Sequence, residues 1–108
     1  NNKTSPIAAI AGMGLNYFMG SSKDYKDKLD DVDPIAMSKE FEKLDIDRWK
    51  YKEGLFDEGE HIGPYVEDVE HLGMTRGKMV DLLSMIGATM AAVQGVAQRL
   101  SAIEEKLA

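Results

Sequence analysis

The chain has 108 residues, 44% of them hydrophobic and 30% charged, which suffices for one domain with one modest core and leaves little room for a second. The absence of cysteine excludes a disulfide framework, thiolate zinc sites and cysteine nucleophiles, leaving His61 and His71 as the only imidazole ligands. Thirteen basic against nineteen acidic residues give a formal charge of -6, and the basic residues are interspersed along the chain, so neither nucleic acid nor an anionic membrane is an expected partner.

The sequence opens on Asn1-Asn2-Lys3 without an initiator methionine and is expected to be a piece of a longer polypeptide. Residues 6 to 20 form a long uncharged stretch; at 15 residues it is shorter than the roughly 20 a membrane-spanning helix needs. Gly12, Gly14 and Gly20 discourage a stable helix there. The stretch reads as a buried strand or connector, the end of whatever precedes the domain.

From Ser21 to Asp33 the composition turns polar and charged, which places a boundary near Ser21. Asp33-Pro34 supplies an N-cap and a first-turn proline, and Met37, Phe41 and Leu44 recur at helical spacing, so a short amphipathic helix is predicted over 34–44. Ile46 to Lys52 places Trp49 and Tyr51 on one side of a half-buried strand. Gly54 to Glu60 is a predicted loop, after which His61-Ile62-Gly63 resumes extended chain as the strand's partner. Pro64 opens a predicted short helix carrying Tyr65, Val66, Val69 and Leu72, closed by Gly73. Trp49, Tyr51, Ile62 and Val66 are expected in the globular core.

The strongest periodic signal comes last. Met79, Leu82, Ile86, Thr89, Val93, Val96, Leu100, Ile103 and Leu107 keep an unbroken spacing of three and four, with Thr89 alone polar. A helix over 79–107 is about 43 Å long at 1.5 Å per residue, longer than a small domain needs for its own core. Gly87 and Gly95 each cost roughly 1 kcal/mol relative to alanine, whereas each buried seam side chain contributes about 1.5–3 kcal/mol once a partner covers it. The seam is therefore expected to pair with copies of itself; the alternative is an amphipathic helix folded onto its own subunit. The glycines, with the alanines at 88, 91, 92 and 97, also provide a small-residue surface that other backbone elements can approach closely.

Motifs for phosphate binding (GxxxxGK[ST]), metalloproteolysis (HExxH) and acyl transfer (GxSxG) are absent. Asp27, Asp30, Asp31 and Asp33 lack the spacing and glycine of a calcium loop and read as a solvated turn. No metal or cofactor is expected. One constellation carries chemistry: Gly20-Ser21, with Lys26 five residues on. A serine hydroxyl can attack the carbonyl just before it while a neutral lysine removes its proton. A lysine at its ordinary pKa is neutral in only about one molecule in 2,500 at pH 7, so burial would have to make it a base.

The order of these pieces resembles the C-terminal intramolecular chaperone domain of phage tail spikes and tail fibres, the endosialidase type. That family begins with S-D-x-R-x-K, continues through a leucine-rich helix and a strand like P-V-x-Y-x-Y-K, then h-I-G-f-I-A-q-E-V-E, and ends in a long helix. The corresponding text is Ser21 to Lys26, Ile46 to Lys52, His61 to Glu70 and Met90 to Val96, so the resemblance runs from Ser21 to about Leu107. Ser22 stands where the family has an acidic residue, and Asp24 where it has an arginine.

The resemblance implies an α+β domain with a small antiparallel sheet, short helices and a long C-terminal helix forming a trimeric, coiled-coil-like bundle. Residues 1–20 would be the end of an upstream fibre or spike chain, the folding client. Residues 21–108 would be the chaperone, with a globular part over 34–73 and a trimerisation helix over 78–107. The expected interface is Met79, Leu82, Ile86, Val93, Val96, Leu100, Ile103 and Leu107. Ser21 would be the nucleophile and Lys26 the base of a single self-cleavage at Gly20-Ser21, in a virion tail precursor assembling in the host cytoplasm. A permanent trimerisation cap that never cuts, and a monomeric module whose terminal helix docks on a partner, are the competing expectations.

Overall fold

A computed structural model describes residues 20 to 108; the stretch read as a buried strand or connector, and the proposed client end, lie outside the described residues except for Gly20. The chain divides into two compact units, Asn1–Asp31 and Val32–Ala108. That division falls beyond the change of composition at Ser21, immediately before the cap of the first long element.

In the second unit the architecture is α+β: two small two-stranded antiparallel sheets, short helices and one long C-terminal helix. Helix α1 runs Pro34–Glu42. The Asp33 carboxylate starts it by accepting hydrogen bonds from the Ile35 and Ala36 amides at 3.1 and 3.2 Å, and Pro34 occupies the first turn, where its missing N–H costs nothing. Strands β1 (Asp47–Lys50) and β2 (Glu60–Gly63) pair antiparallel, with Trp49 opposite His61 and Lys50 opposite Glu60. This is the predicted strand pair, shortened at both ends of its first strand.

Because side chains alternate across a strand, pairing Trp49 with His61 puts Ile62 on the other face, and Ile62 is 64% exposed. The expectation that Ile62 joins the core is therefore corrected. Trp49 and Tyr51 instead build a separate aromatic cluster. Their ring centroids lie 5.0 Å apart, with His61 at 4.9 Å from Trp49 and Phe56 at 4.7 Å from Tyr51. His61 is held there by Asp57, whose carboxylate lies 2.9 Å from its Nε2.

Helix α2 covers Val66–Val69 and continues as a tight turn through Leu72. It begins two residues after Pro64 and stops where Gly73 takes the left-handed conformation, φ 78°, as a terminating glycine does. A second hairpin follows, β3 (Thr75–Arg76) with β4 (Met79–Val80), joined through Gly77 at φ 59°. A two-residue turn with glycine first matches the right-handed twist of its strands.

Helix α3 runs Leu82–Leu107, about 39 Å at 1.5 Å per residue. It starts later than the expected residue 78 or 79, for two reasons. Met79 and Val80 spend their backbone groups on the hairpin, and Asp81 is the cap, its carboxylate accepting from the Leu83 amide at 3.2 Å and the Ser84 hydroxyl at 2.7 Å.

The core gathers Val69, Met74 and Ala88, with Met37, Phe41, Leu44, Leu72, Val80 and Met85 packed around them. The globular part thus runs past Gly73 and takes in the second hairpin and the first turns of α3. A cross-tie joins α1 to the turn after α2, with His71 Nε2 at 3.2 Å from a Glu40 carboxylate oxygen.

Candidate functional site

Helix α3 has two apolar faces, and only one is used within the second unit. The inner face is small: Ala88, Ala92 and Gly95 are buried where α1 lies along it. A β-carbon at residue 95 would overlap the Pro34 carbonyl oxygen and come within 2.8 Å of the Ser38 Cβ. Glycine is thus what lets the two helices approach this closely. Ser38 is itself buried, its hydroxyl donating to the Ile35 carbonyl at 2.7 Å. Arg99 closes this contact, reaching the Ser38 hydroxyl at 3.4 Å and the Glu42 carboxylate at 3.6 Å.

The other face is the predicted seam, and within the second unit nothing covers it. Leu82, Ile86, Val93, Val96, Leu100, Ile103 and Leu107 are between 41% and 81% exposed, with Leu83 and Met90 exposed on its flank. Between Asp81 and Arg99 the helix carries no charged residue, so this face has none of the ionic groups that normally solvate a surface helix. Beyond Arg99 every residue to Ala108 is exposed, so the last two turns project free of the second unit's core. Met79, expected at the start of the seam, sits on β4 and is exposed there. An open groove of about 430 Å³ between α1 and α3, lined by Phe41, Ala92, Val93 and Val96 among others, borders the seam on one side.

The first unit carries the other candidate. A short turn over Lys23–Tyr25, capped by the Ser22 hydroxyl accepting from the Asp24 amide at 3.1 Å, folds the chain back on itself. This brings the Lys26 ammonium to 3.1 Å from the Ser21 hydroxyl, to which it donates. Gly20, on the acyl side of the bond before Ser21, has φ 63°, a left-handed conformation that glycine adopts without the strain a β-carbon would bring. Ser22, where the resembling family has an acidic residue, thus acts as a turn cap, a role an aspartate side chain also fills. Ser21 and Lys26 are both exposed to solvent.

Spacing in the sequence located the seam, the inner small-residue surface and the Ser21–Lys26 pair. The Arg99 contacts and the His71–Glu40 tie were missed, because their partners are far apart in the chain and no local pattern joins them. The second hairpin did have a local signal, the glycine at 77 ahead of the capping Asp81. Among the described residues, no group of three or more histidine, cysteine, aspartate or glutamate side chains could hold a metal ion, and no helix is long and apolar enough to cross a membrane. No family model, curated protein or solved structure matches the chain.

Proposed function

We propose that this chain is an intramolecular chaperone that trimerises through α3, holds the polypeptide preceding it in register, and releases itself by a single cut at Gly20–Ser21. The observation that carries the reading is the uncovered face of α3: a charge-free row of large apolar side chains that the subunit's own core does not use. Such a row is stable in water only when another surface covers it, and its seven-residue repeat suits copies of the same helix. Joining three C-termini turns the registration of three upstream chains into an effectively intramolecular step. The setting proposed with it is a phage tail spike or fibre precursor assembling in the host cytoplasm, with the upstream chain as client.

The Ser21–Lys26 pair supports the release step. With the lysine neutral, Ser21 Oγ attacks the Gly20 carbonyl carbon as Lys26 Nζ takes the hydroxyl proton. The carbon–nitrogen bond breaks, the Ser21 nitrogen takes a proton to become a free amine, and the Gly20 acyl group is left as an ester on the serine oxygen. Water then hydrolyses the ester, leaving a carboxylate on Gly20 and restoring the hydroxyl of Ser21.

The permanent, non-cutting cap is the second reading, and the exposure of both side chains favours it, since a lysine becomes a base through burial. Two measurements on the full chain test these readings. Sedimentation equilibrium of the uncut Ser21→Ala chain at micromolar concentration should give three times the 12.0 kDa chain mass; a monomer contradicts the chaperone reading and favours a helix-docking module. Intact mass should show a break between Gly20 and Ser21 that Ser21→Ala abolishes. A trimer that never breaks is the permanent cap.

A further inference from the structure

We infer that the free edge of β1, with the cations that project from one face of it, binds a short acidic segment of another protein as an added strand. No residue of α3 takes part, so the site stands or falls independently of the assembly proposed above.

Arg48 and Lys50 stand two residues apart on β1 and so share one face of the hairpin. Lys52 joins them. The Tyr51 ring meets Trp49 at 5.0 Å and His61 at 5.6 Å, so the alternation of the strand continues through Tyr51 and places Lys52, next in the chain, on the side of Lys50. All three cations are exposed, and among the described residues none of them forms an ion pair. Glu60 stands opposite Lys50 and makes no ion pair with it either. Ile46 and Ile62, 54% and 64% exposed, belong to the same face. Scattered along the sequence among aromatic residues, the three cations are gathered by the two-residue period of the strand, at steps of about 6.6–6.8 Å. Alternate side chains of any other extended peptide have that same spacing.

The backbone beside this face supports the assignment independently. β1 has β2 on one side only, and among the described residues no backbone hydrogen bond from outside the hairpin reaches Asp47–Lys50. Lysine on such an edge ordinarily keeps strands from pairing. The same charges make the edge selective: they repel a basic strand or a second β1, and they attract one that carries carboxylates at alternate positions. Main-chain hydrogen bonds then supply affinity and the cations supply specificity. Glu53, Asp57 and Glu58 line the hollow beyond Lys52, so an acidic partner is confined to the stretch from Ile46 to Lys52. A nucleic acid fits less well, because its backbone cannot complete a strand ladder and the formal charge of -6 opposes a long polyanion.

The test is fluorescence anisotropy of the full chain with a labelled heptapeptide of alternating glutamate and valine. Arg48→Glu combined with Lys50→Glu should weaken binding by about tenfold or more, because two attractive cross-strand pairs become repulsive. Arg48→Gln with Lys50→Gln should weaken it less, and since all these positions are exposed, both variants should keep the circular dichroism of the parent. Bound peptide should slow hydrogen exchange at the amides of β1. A peptide with proline in place of valine keeps the charge and loses those backbone donors, and should bind about tenfold more weakly or not at all. Equal binding of the proline peptide, or of an oligothymidylate of the same charge, reduces the face to an unselective cationic patch and overturns the inference. So does a chain that leaves the anisotropy of the glutamate–valine peptide unchanged. Self-association that Arg48→Glu with Lys50→Glu abolishes, without peptide binding, makes a second copy the occupant and overturns it as well. None of these failures touches the trimeric reading, and a chain that sediments as a monomer yet binds the peptide refutes that reading while leaving this site in place.

Discussion

Gly95 of α3 lies directly against the Pro34 carbonyl of α1, so close that a β-carbon on residue 95 has no place to go. Gly87, two turns earlier, has nothing within 4 Å of where its β-carbon would be. The two glycines cost the helix alike in propensity and differ entirely in what they permit.

Substituting each by alanine should separate those roles. Gly95→Ala should destabilise the subunit, since overpacking costs about 1–3 kcal/mol and a backbone carbonyl yields less than a side chain, outweighing the roughly 1 kcal/mol gained in helix propensity. Gly87→Ala should stabilise by up to about 1 kcal/mol. Urea midpoints at equal protein concentration measure both, and a stabilised Gly95→Ala variant would show that α1 does not lie as closely on α3 as described.

Ile86→Asp with Val93→Asp should dissociate the assembly while sparing the fold. Both side chains are exposed within the single chain, so the change should alter subunit stability by no more than about 0.5 kcal/mol. In an assembled seam the same carboxylates are buried beside one another without partners. Sedimentation should move to the monomer with helical circular dichroism retained; a trimer that survives the double substitution means that another face makes the contact.

Lys26→Met should stop the cut at Gly20–Ser21 as completely as Ser21→Ala does, since a serine without its base is a weak nucleophile. Time courses of intact mass read the effect. A cut that proceeds equally in Lys26→Met assigns the proton transfer to another group.

Acid should loosen the second unit through three carboxylates. The His61 hydrogen bond, and after it the Gly59 amide, hold Asp57 below its ordinary pKa. The His71 hydrogen bond, and after it the charge of Lys43, hold Glu40 below its ordinary pKa. The Ser84 hydroxyl, opposed in part by desolvation and helped by the backbone amides it caps, does the same for Asp81. A carboxylate whose pKa is lowered by folding contributes stability that is complete above its unfolded value, about 4, and is lost as pH falls through the folded one. Thermal midpoints should therefore decline below about pH 4. Asp81→Asn combined with His71→Ala should flatten that decline, and an unchanged slope would place the acid sensitivity elsewhere.

Much of the architecture was readable before any coordinates, and the reason is locality. Asp33-Pro34, Gly73, the alternation around Trp49 and the seven-residue repeat of α3 are each set within a few residues, where sterics and hydrogen bonding of the adjacent backbone decide the outcome. The Ser21–Lys26 hydrogen bond belongs to the same class, because one tight turn suffices to return Lys26 to Ser21. What only the folded chain decided depends on which surfaces meet: that Ile62 faces water because Trp49 is paired with His61, that Met79 serves a hairpin instead of the helix, and that α1 is the element that lies on the alanine and glycine row of α3. Residues separated by 61 positions, as Ser38 and Arg99 are, leave no periodic trace of their contact, since it is created by packing two helices together. The amino-acid order determined that α3 is apolar on more than one side; tertiary packing decided which of those sides the subunit keeps for itself and which it leaves open.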